Sequence, residues 1–364
     1  MELQATIMQE GTVITEQQYR KLKDRLSYSA LKTFDNDRKK FYQEFILGEA
    51  RKESESASTL MGSLVHHLLS GLPFEDKFHL LSAVQPSGQM KDLVDALFRR
   101  TVKSMVDGVI TEKFEVLFND AVQEVKYDGA GNEIAFKKKD LDKIVTMFEG
   151  TDAEIYYKEL LLTIGKSVVT TNLITKAEQL VEKLKGHSYT YEYANACTKK
   201  GIDVFNELPI LFEVDNVPYK SMLDKVIVNH ETKTIQPLDW KTSWDSENPQ
   251  GAYLKFGYYL QAALYDYALE QWTKEHSITD YEIKPMIYIF CDTSGFADPV
   301  VLKLSDDDIS AGWDGFKIRG YEYRGLRDIM NDIEWHVDTG NWATSKAIFD
   351  AKGHIQLALN YEDK

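Results

Sequence analysis

Two opposite charges lie two residues apart in the stretch QPLDWKTSW, residues 236–244, which contains Asp239 and Lys241. Side chains alternate between the two faces of a β-strand, so Asp239 and Lys241 would share one face. A carboxylate there can ligate a cation, and a neighbouring ammonium can hold a water molecule or a phosphate oxygen. The same acid-x-Lys spacing recurs at Glu282–Lys284, and most such triplets are solvated surface. The surroundings of Asp239 therefore decide whether it does chemistry.

A second acid is placed beside Asp239 by a predicted β-hairpin. Residues 218–228 and 233–241 alternate as strands, and the turn 229–232 joins them. A turn centred between Glu231 and Thr232 sets Asp224 opposite Asp239, with Cβ atoms about 5 Å apart. The hairpin therefore predicts two carboxylates facing each other on an otherwise apolar surface.

Two carboxylates at this separation repel each other and need a compensating charge. A divalent cation between Asp224 and Asp239 is the simplest compensation. Lys241, one step along the same face, would then lie beside the ion and act on water or on a phosphate oxygen. The alternative is a register shifted by one residue, with both acids at strand ends in solvent.

Five segments of the chain resemble, in order, the PD-(D/E)XK nuclease superfamily. The closer resemblance is to its RecB-like and RecE-like branch, which includes exonuclease VIII and phage recombination exonucleases. The five segments are LSYSALKTF (26–34), GSLVHHLL (62–69), KSMLDKVIV (220–228), LDWKT (238–242) and YYLQAALYDYAL (258–269). The resemblance implies an α/β fold with a restriction-endonuclease-like mixed β-sheet core flanked by helices.

The resemblance also implies a metal site. His66, Asp224, Asp239 and the carbonyl that follows Asp239 would ligate Mg²⁺ or Mn²⁺, as one or two ions, and Glu207 matches a further acidic position. His66 is chosen over its neighbour because it lies four residues after the glycine of the motif. The alternative is a histidine packed in the core. An iron–sulfur cluster held by four cysteines is excluded because the chain has two.

The chemistry implied by the resemblance is hydrolysis of a phosphodiester bond by in-line attack of water, with Asp224, Asp239 and Lys241 as the catalytic residues. Gln261 and Tyr265 lie one helical turn apart. We expect them to line the site and to contact the DNA backbone. The alternative is that these two residues form the polar edge of an amphipathic helix.

The elements around these motifs change character near residue 187. Residues 27–48, 59–71, 90–126, 137–186, 250–275 and 305–345 read as helix, whereas SYTYEYANA (188–196) and the following runs read as strands. We therefore expect one nuclease domain, 1–364. Its parts are N-terminal helices with the histidine motif (27–86), a large helical insertion (87–190), the catalytic β core with its following helix (191–304) and C-terminal helices (305–364).

Composition limits the partners that we expect. The 364 residues carry a net charge of −15, whereas proteins that bind nucleic acid nonspecifically are usually basic, so the basic residues would have to lie in one groove. There is no apolar run of bilayer-spanning length, and two distant cysteines favour a reducing cytoplasm. We expect no membrane partner.

By resemblance, we expect the protein to act on duplex DNA ends in phage-type or bacterial recombination and repair. We also expect a homo-oligomer, and a single-strand annealing protein as a partner. The alternative is a catalytically silent or non-nuclease protein of the same fold that binds DNA or regulates.

Overall fold

The computed structural model of the chain describes residues 14, 16–49 and 56–354. The chain divides into two compact units, Met1–Ser70 with Glu178–Lys364, and Gly71–Ala177. Sequence analysis set the helical insertion at 87–190, so the second unit begins and ends earlier than the predicted insertion. None of the helices in the described ranges is long and apolar enough to cross a bilayer.

The helices begin and end at capping residues and turns. In chain order the α-helices are α1 (Glu16–Lys21), α2 (Tyr28–Asn36), α3 (Arg38–Phe41), α4 (Ala57–Ser70), α5 (Gly88–Lys103), α6 (Phe114–Lys126), α7 (Leu141–Phe148), α8 (Asp152–Leu162), α9 (Thr171–Gly186), α10 (Tyr191–Ala194), α11 (Pro249–Phe256), α12 (Tyr258–Glu275), α13 (Asp306–Asp314), α14 (Leu326–Thr339) and α15 (Lys346–Asp350). A π-helical turn, Tyr42–Ile46, follows α3, and a 3-10 turn, Phe74–Asp76, follows α4.

The strands fall into one large sheet and three short pairs. In chain order they are β1 (Phe78–Leu80), β2 (Met105–Val106), β3 (Val109–Ile110), β4 (Ser167–Val169), β5 (Ile202–Val214), β6 (Val217–Asn229), β7 (Thr234–Ser243), β8 (Glu282–Ile283), β9 (Ile287–Asp292), β10 (Val300–Lys303), β11 (Phe316–Ile318) and β12 (Tyr321–Tyr323).

The large sheet of the first unit is mixed. Its order is β10-β9-β7-β6-β5, and β8 pairs with β7 outside this path. Strands β5, β6 and β7 are antiparallel neighbours, whereas β9 and β8 run parallel to β7. The chain is therefore a mixed α/β protein, and β7, which carries the Asp-x-Lys pair, lies inside the sheet.

The β6–β7 hairpin has the predicted register. Val228 lies opposite Ile235, and the turn is centred between residues 231 and 232. Strand pairing ends at Lys225 opposite Leu238, one step before Asp224 and Asp239. The two acids are therefore the next residues in register, at the point where β6 and β7 separate.

Pro237 is tolerated inside β7 because of the direction in which its nitrogen points. Successive residues of a strand direct their N–H groups to opposite neighbours. The N–H of Trp240 points to β6, where Asp224 accepts it, so the nitrogen of Pro237 points away from β6. On that side β8 has ended and β9 has not yet begun. The missing donor therefore costs the sheet no ladder hydrogen bond.

Helix α12 covers one face of the sheet. Its apolar side chains share a core with the inward-facing residues of β6 and β7 and are fully or almost fully buried. This part of the core includes Leu260, Leu264, Ala268, Val226, Val228 and Ile235. At roughly 25 cal/mol for each Å² of apolar surface removed from water, such packing fixes α12 on the strands that carry the acids.

Helix α4 approaches β7 from the opposite face. A Cβ atom added at Gly62 would lie 3.1 Å from Oγ1 of Thr242, so the helix and strand are in close contact there. Thr242 follows Lys241 in β7, so the side chains of these two residues point to opposite faces of the sheet. The glycine of the histidine motif thus has a packing role.

The second unit, Gly71–Ala177, has its own apolar core. Helices α5 to α8 contribute buried side chains that include Leu93, Leu97, Phe118, Val122, Ile144 and Phe148. Strands β1 and β4 pair in parallel, and β2 and β3 form a short hairpin. The region predicted as a helical insertion, 87–190, is therefore mainly helical but also contains β2, β3 and β4.

Three sequence-based element assignments were wrong. The segment 188–196, predicted as a strand, contains α10, because the side chains of Thr190 and Asn195 bond to nearby carbonyls of the preceding helix. The helix predicted over 250–275 is broken at Gly257, which has φ +69°. The helix predicted over 305–345 is interrupted by the β11–β12 hairpin.

Candidate active site

Three acidic residues lie in one row across the sheet. Glu207 of β5 falls between the pairs Asn206–Lys225 and Leu208–Leu223, so its register position is opposite Asp224 of β6. Asp224 in turn is followed in register by Asp239 of β7. Glu207 has φ +52°, in the left-handed region that a non-glycine residue rarely adopts. The strand register thus places Glu207 in the same row as the two predicted acids.

His66 reaches the point where β6 and β7 separate. Its Nδ1 lies 3.0 Å from Oδ2 of Asp224, and its Nε2 faces the carbonyl oxygen of Trp240. The same Asp224 oxygen accepts the backbone N–H of Trp240 at 3.1 Å. The structure therefore brings together His66, Asp224 and the carbonyl that follows Asp239.

The His66–Asp224 contact is an ion pair. Burial alone would lower the pKa of His66, but the Asp224 carboxylate reverses this effect and raises the pKa to about 9. Burial would likewise raise the pKa of Asp224, but His66 and Lys241 lower it. Both ring nitrogens of the imidazolium then donate, one to the carboxylate and one to the carbonyl.

Asp239 is paired with Lys241 and Gln261. Only 2% of the Asp239 side chain is exposed, and its Oδ1 lies 2.5 Å from Nζ of Lys241. The side-chain amide of Gln261 donates to Oδ2 of Asp239 at 2.8 Å, and its oxygen accepts from Lys241 at 3.2 Å. Gln261 therefore bridges the acid and the lysine of the Asp-x-Lys pair.

Burial raises the pKa of Asp239, and the nearby Asp224 carboxylate raises it further, to about 6. Burial alone would lower the pKa of Lys241, but Asp239 reverses this effect and the pKa is raised. Lys241 is therefore an ammonium at neutral pH. The charges of Asp224 and Asp239 are therefore each offset by one cationic neighbour, His66 and Lys241 respectively.

Two tyrosines surround the ammonium. Nζ of Lys241 lies 4.5 Å from the ring centroid of Tyr258 and 5.5 Å from that of Tyr288. The Tyr288 hydroxyl donates to the carbonyl of Tyr258 at 2.9 Å. Sequence analysis did not identify Tyr288. Tyr288 is placed at the site because β9 pairs in parallel with β7, which sets Tyr288 beside Asp239. This pairing is known only once the order of strands in the sheet is known.

Tyr265, predicted beside Gln261, is buried and lines a cavity of about 480 Å³. Four basic side chains also line it, Arg20, Lys23, Arg25 and Lys220, together with the acidic Glu44 and Glu49. The ammonium of Lys220 donates to the carbonyls of Tyr19 and Leu22. A locally basic surface therefore exists in this acidic chain, close to α12.

The types of oxygen atom at this site suit a hard divalent cation, but the side chains are not arranged around a common metal position. Oδ1 of Asp239 is buried, and the ammonium of Lys241 lies 2.5 Å from it. Carboxylates and a peptide carbonyl are ligands that Mg²⁺ and Mn²⁺ prefer. No group of three or more His, Cys, Asp or Glu side chains in the described part of the chain is placed to hold a metal ion. In this arrangement His66 contacts Asp224, and Lys241 contacts Asp239.

Comparisons with known proteins add little to this geometry. No family model matches the chain, and no curated protein matches it. A solved structure from Eubacterium rectale, described as a "Putative exonuclease", aligns with a TM-score of 0.46 and 12% sequence identity over 96% of each chain. A likeness at this level supports no inference about function, and it assigns the chain to no family.

Proposed function

We propose that the protein is a metal-dependent exonuclease that hydrolyses phosphodiester bonds of linear duplex DNA. The observation that carries the proposal is the convergence of Asp224, Asp239 and Lys241 where β6 and β7 separate. Acids on adjacent strands suit a divalent cation, and an ammonium beside them suits a phosphate. The assignment of the sheet as restriction-endonuclease-like, of the RecE-like branch, belongs to the same proposal.

His66, Asp224, Asp239 and the carbonyl of Trp240 would hold Mg²⁺ or Mn²⁺. Glu207, in the same row, is the candidate for a further ligand. The bound metal would polarise the scissile phosphate and lower the pKa of an attacking water.

Lys241 acts as a fixed positive charge in this proposal. Because Asp239 raises its pKa, the side chain enters the reaction as an ammonium rather than as a proton acceptor. Asp239 and Gln261 hold the ammonium in place before substrate arrives. A preorganised charge of this kind stabilises the negative charge that develops on the phosphate in the transition state.

The basic cavity beside α12 is the candidate route for the DNA backbone. Arg20, Lys23 and Arg25 line it, and Tyr265 connects it with the helix that carries Gln261. Gln261 itself is buried and already bonded to Asp239 and Lys241. We therefore assign Gln261 a positioning role, and a contact between DNA and Gln261 or Tyr265 stays a prediction.

A catalytically silent DNA-binding or regulatory protein is the second candidate. The pairing of Asp224 with His66 and of Asp239 with Lys241 favours it, because in this arrangement neither acid is free to take a metal. The two candidates share the site and differ in whether a cation displaces these pairs. A metal-binding measurement therefore separates them.

The test uses end-labelled linear duplex DNA with Mg²⁺, with Mn²⁺ and with a chelator. We expect the parent protein to release nucleotides with either metal, and Asp224→Asn and Asp239→Asn to release none. Asp266→Asn, the same chemical change on α12 outside the site, is the matched control and should retain activity. Calorimetric Mn²⁺ titration should show binding by the parent and loss in the two site variants. A parent protein that binds Mn²⁺ no better than these variants would support the silent candidate.

A further inference from the structure

Two large aromatic side chains are exposed to solvent just after the ends of β7 and β9. Trp244 is 86% exposed and Phe296 is 93% exposed. Trp244 follows β7, and Phe296 follows β9, which runs parallel to β7 with Ser243 opposite Asp292. The backbone N–H of Thr293 donates to the carbonyl of Ser243 at 2.9 Å. The loops that follow β7 and β9 therefore leave the sheet side by side, at the same end of the strands.

This end of the strands is close to the proposed reaction site. Trp244 is three residues beyond Lys241 along β7. A strand rises about 3.3 Å per residue, so the backbone of Trp244 lies roughly 10 Å from that of Lys241. A nucleotide next to the one being cleaved would extend over a similar distance.

The loop that carries Phe296 is held from both sides. The buried carboxylate of Asp292 accepts the backbone N–H groups of Ser294, Phe296 and Ala297 at 2.9, 3.0 and 2.9 Å. The ammonium of Lys183 donates to the carbonyls of Gly295 and Ala297 at 2.9 and 2.6 Å. An ordered loop that keeps an apolar ring in water leaves that ring available to a partner.

The charges around the two rings select the partner. Asp245 and Glu247 follow Trp244, so a phosphate would be repelled beside that ring, whereas Asp298, which follows Phe296, lies 3.8 Å from the ammonium of Lys183. The flat face of a nucleobase carries no net charge and stacks on aromatic rings for about 1–3 kcal/mol per base. Stacking is also the interaction that suits an acidic protein, because it does not depend on neutralising phosphates.

We propose that Trp244 and Phe296 form a stacking platform for unpaired bases of the DNA strand beside the reacting phosphate. Bases within a duplex are already stacked, so the platform takes a single strand or a frayed end. That the bound strand is DNA rests on the proposed nuclease function. The test of the platform measures binding and requires no nuclease activity.

The test measures binding of a fluorescent single strand of about 12 nucleotides in the presence of a chelator, where no hydrolysis is needed. We expect Trp244→Ala and Phe296→Ala each to weaken binding roughly 5- to 100-fold, at low and at high salt alike. Trp244→Phe should restore most of the affinity. Tyr321→Ala, which removes another exposed ring, is the matched control and should bind as the parent does.

The outcomes separate this proposal from the nuclease proposal. A protein that hydrolyses no DNA but loses strand binding in the two variants supports the platform and not the nuclease. Unchanged affinity in both variants, or no strand binding by the parent, overturns the platform even if DNA is hydrolysed. A change in native mass with unchanged affinity assigns the rings to a protein contact and also overturns it.

Discussion

At the scale of single residues, the site is built from two acid–base pairs. The half-buried Asp224 is paired with His66, and the buried Asp239 with Lys241, so each carboxylate has one cationic neighbour. Two ionised carboxylates in adjacent register positions are stable only with such compensation. A divalent cation would replace part of this compensation, and its binding should therefore compete with the protonation of His66.

The two adjacent histidines should differ in the property that they affect. His66→Ala removes the partner of Asp224 and should lower cleavage by about 100-fold or more while the protein stays folded. His67 is 3% exposed and lies in the core, so His67→Ala should cost about 2 kcal/mol of unfolding free energy instead. Urea unfolding and initial cleavage rates measure both. Equal effects of the two substitutions on cleavage would contradict a special role for His66.

The sequence was sufficient to identify four candidate site residues together: Asp224, Asp239, His66 and Lys241. The structure pairs His66 with Asp224 and Lys241 with Asp239, and their catalytic role stays a prediction. The bridging role of Gln261 and the position of Tyr288 could not be predicted. Each depends on a neighbour contributed by another element, and a pattern within one element does not contain that information.

At the scale of elements, the close packing of α4 on β7 sets the position of His66. Gly62→Ala would place a Cβ atom 3.1 Å from Oγ1 of Thr242, so the helix or the threonine must shift. We expect roughly 10-fold slower cleavage, because a small displacement of a catalytic group is costly, with little loss of helix stability. Adding Thr242→Ala should restore the rate. No recovery in the double variant would show that the contact does not position His66.

Asp266 of α12 should make stability depend on pH. Burial, together with the nearby Glu270 and Asp306 carboxylates, raises its pKa to about 6, whereas in the unfolded chain the pKa is about 3.9. The folded state therefore binds this proton more tightly, and its contribution to stability is present below about pH 4 and lost as the pH rises through 6.

Asp266→Asn removes this penalty. We expect the variant to gain roughly 1–2 kcal/mol of unfolding free energy near pH 8 and almost nothing near pH 4. Urea unfolding at the two pH values measures the difference. The same gain in unfolding free energy at pH 4 and at pH 8 would mean that ionisation of Asp266 does not destabilise the folded state.

Strand register was predictable, and several element boundaries were not. The turn after Asn229 fixes the β6–β7 register because a hairpin of known loop length allows one pairing. The helix α10 was predicted as a strand because its tyrosines alternate, yet hydrogen bonds from Thr190 and Asn195 favour a helical turn. The β11–β12 hairpin was missed because Gly315 and Gly320, both with φ near +80°, were read as part of a helix.

At the scale of the whole molecule, charge is the main constraint. A net charge of −15 gives little nonspecific affinity for DNA. We infer that selectivity comes from DNA ends, and that a closed homo-oligomer around the duplex supplies processivity, since closed cyclic symmetry is common among oligomers. A single-strand annealing partner and a role in recombination rest on the resemblance in sequence alone.

End dependence can be measured directly. Linear duplex DNA should be degraded in Mg²⁺, whereas covalently closed circular duplex of the same sequence should stay intact, because no end can enter the site. Native mass is measured in parallel at the working concentration. Rapid nicking of the closed circle would exclude end dependence, and a monomeric mass would exclude the closed oligomer.

The proposed function depends on Lys241, whose ammonium beside the paired acids would stabilise the transition state of phosphodiester hydrolysis. The most direct test is the single-turnover rate of Lys241→Ala on end-labelled linear duplex with saturating Mn²⁺, with Lys274→Ala, an exposed lysine on α12, as the control. We predict that Lys241→Ala still binds Mn²⁺ and DNA but cleaves about 100- to 1,000-fold more slowly, because the ammonium stabilises the transition state rather than the ground state. A single-turnover rate equal to that of the parent would contradict the account.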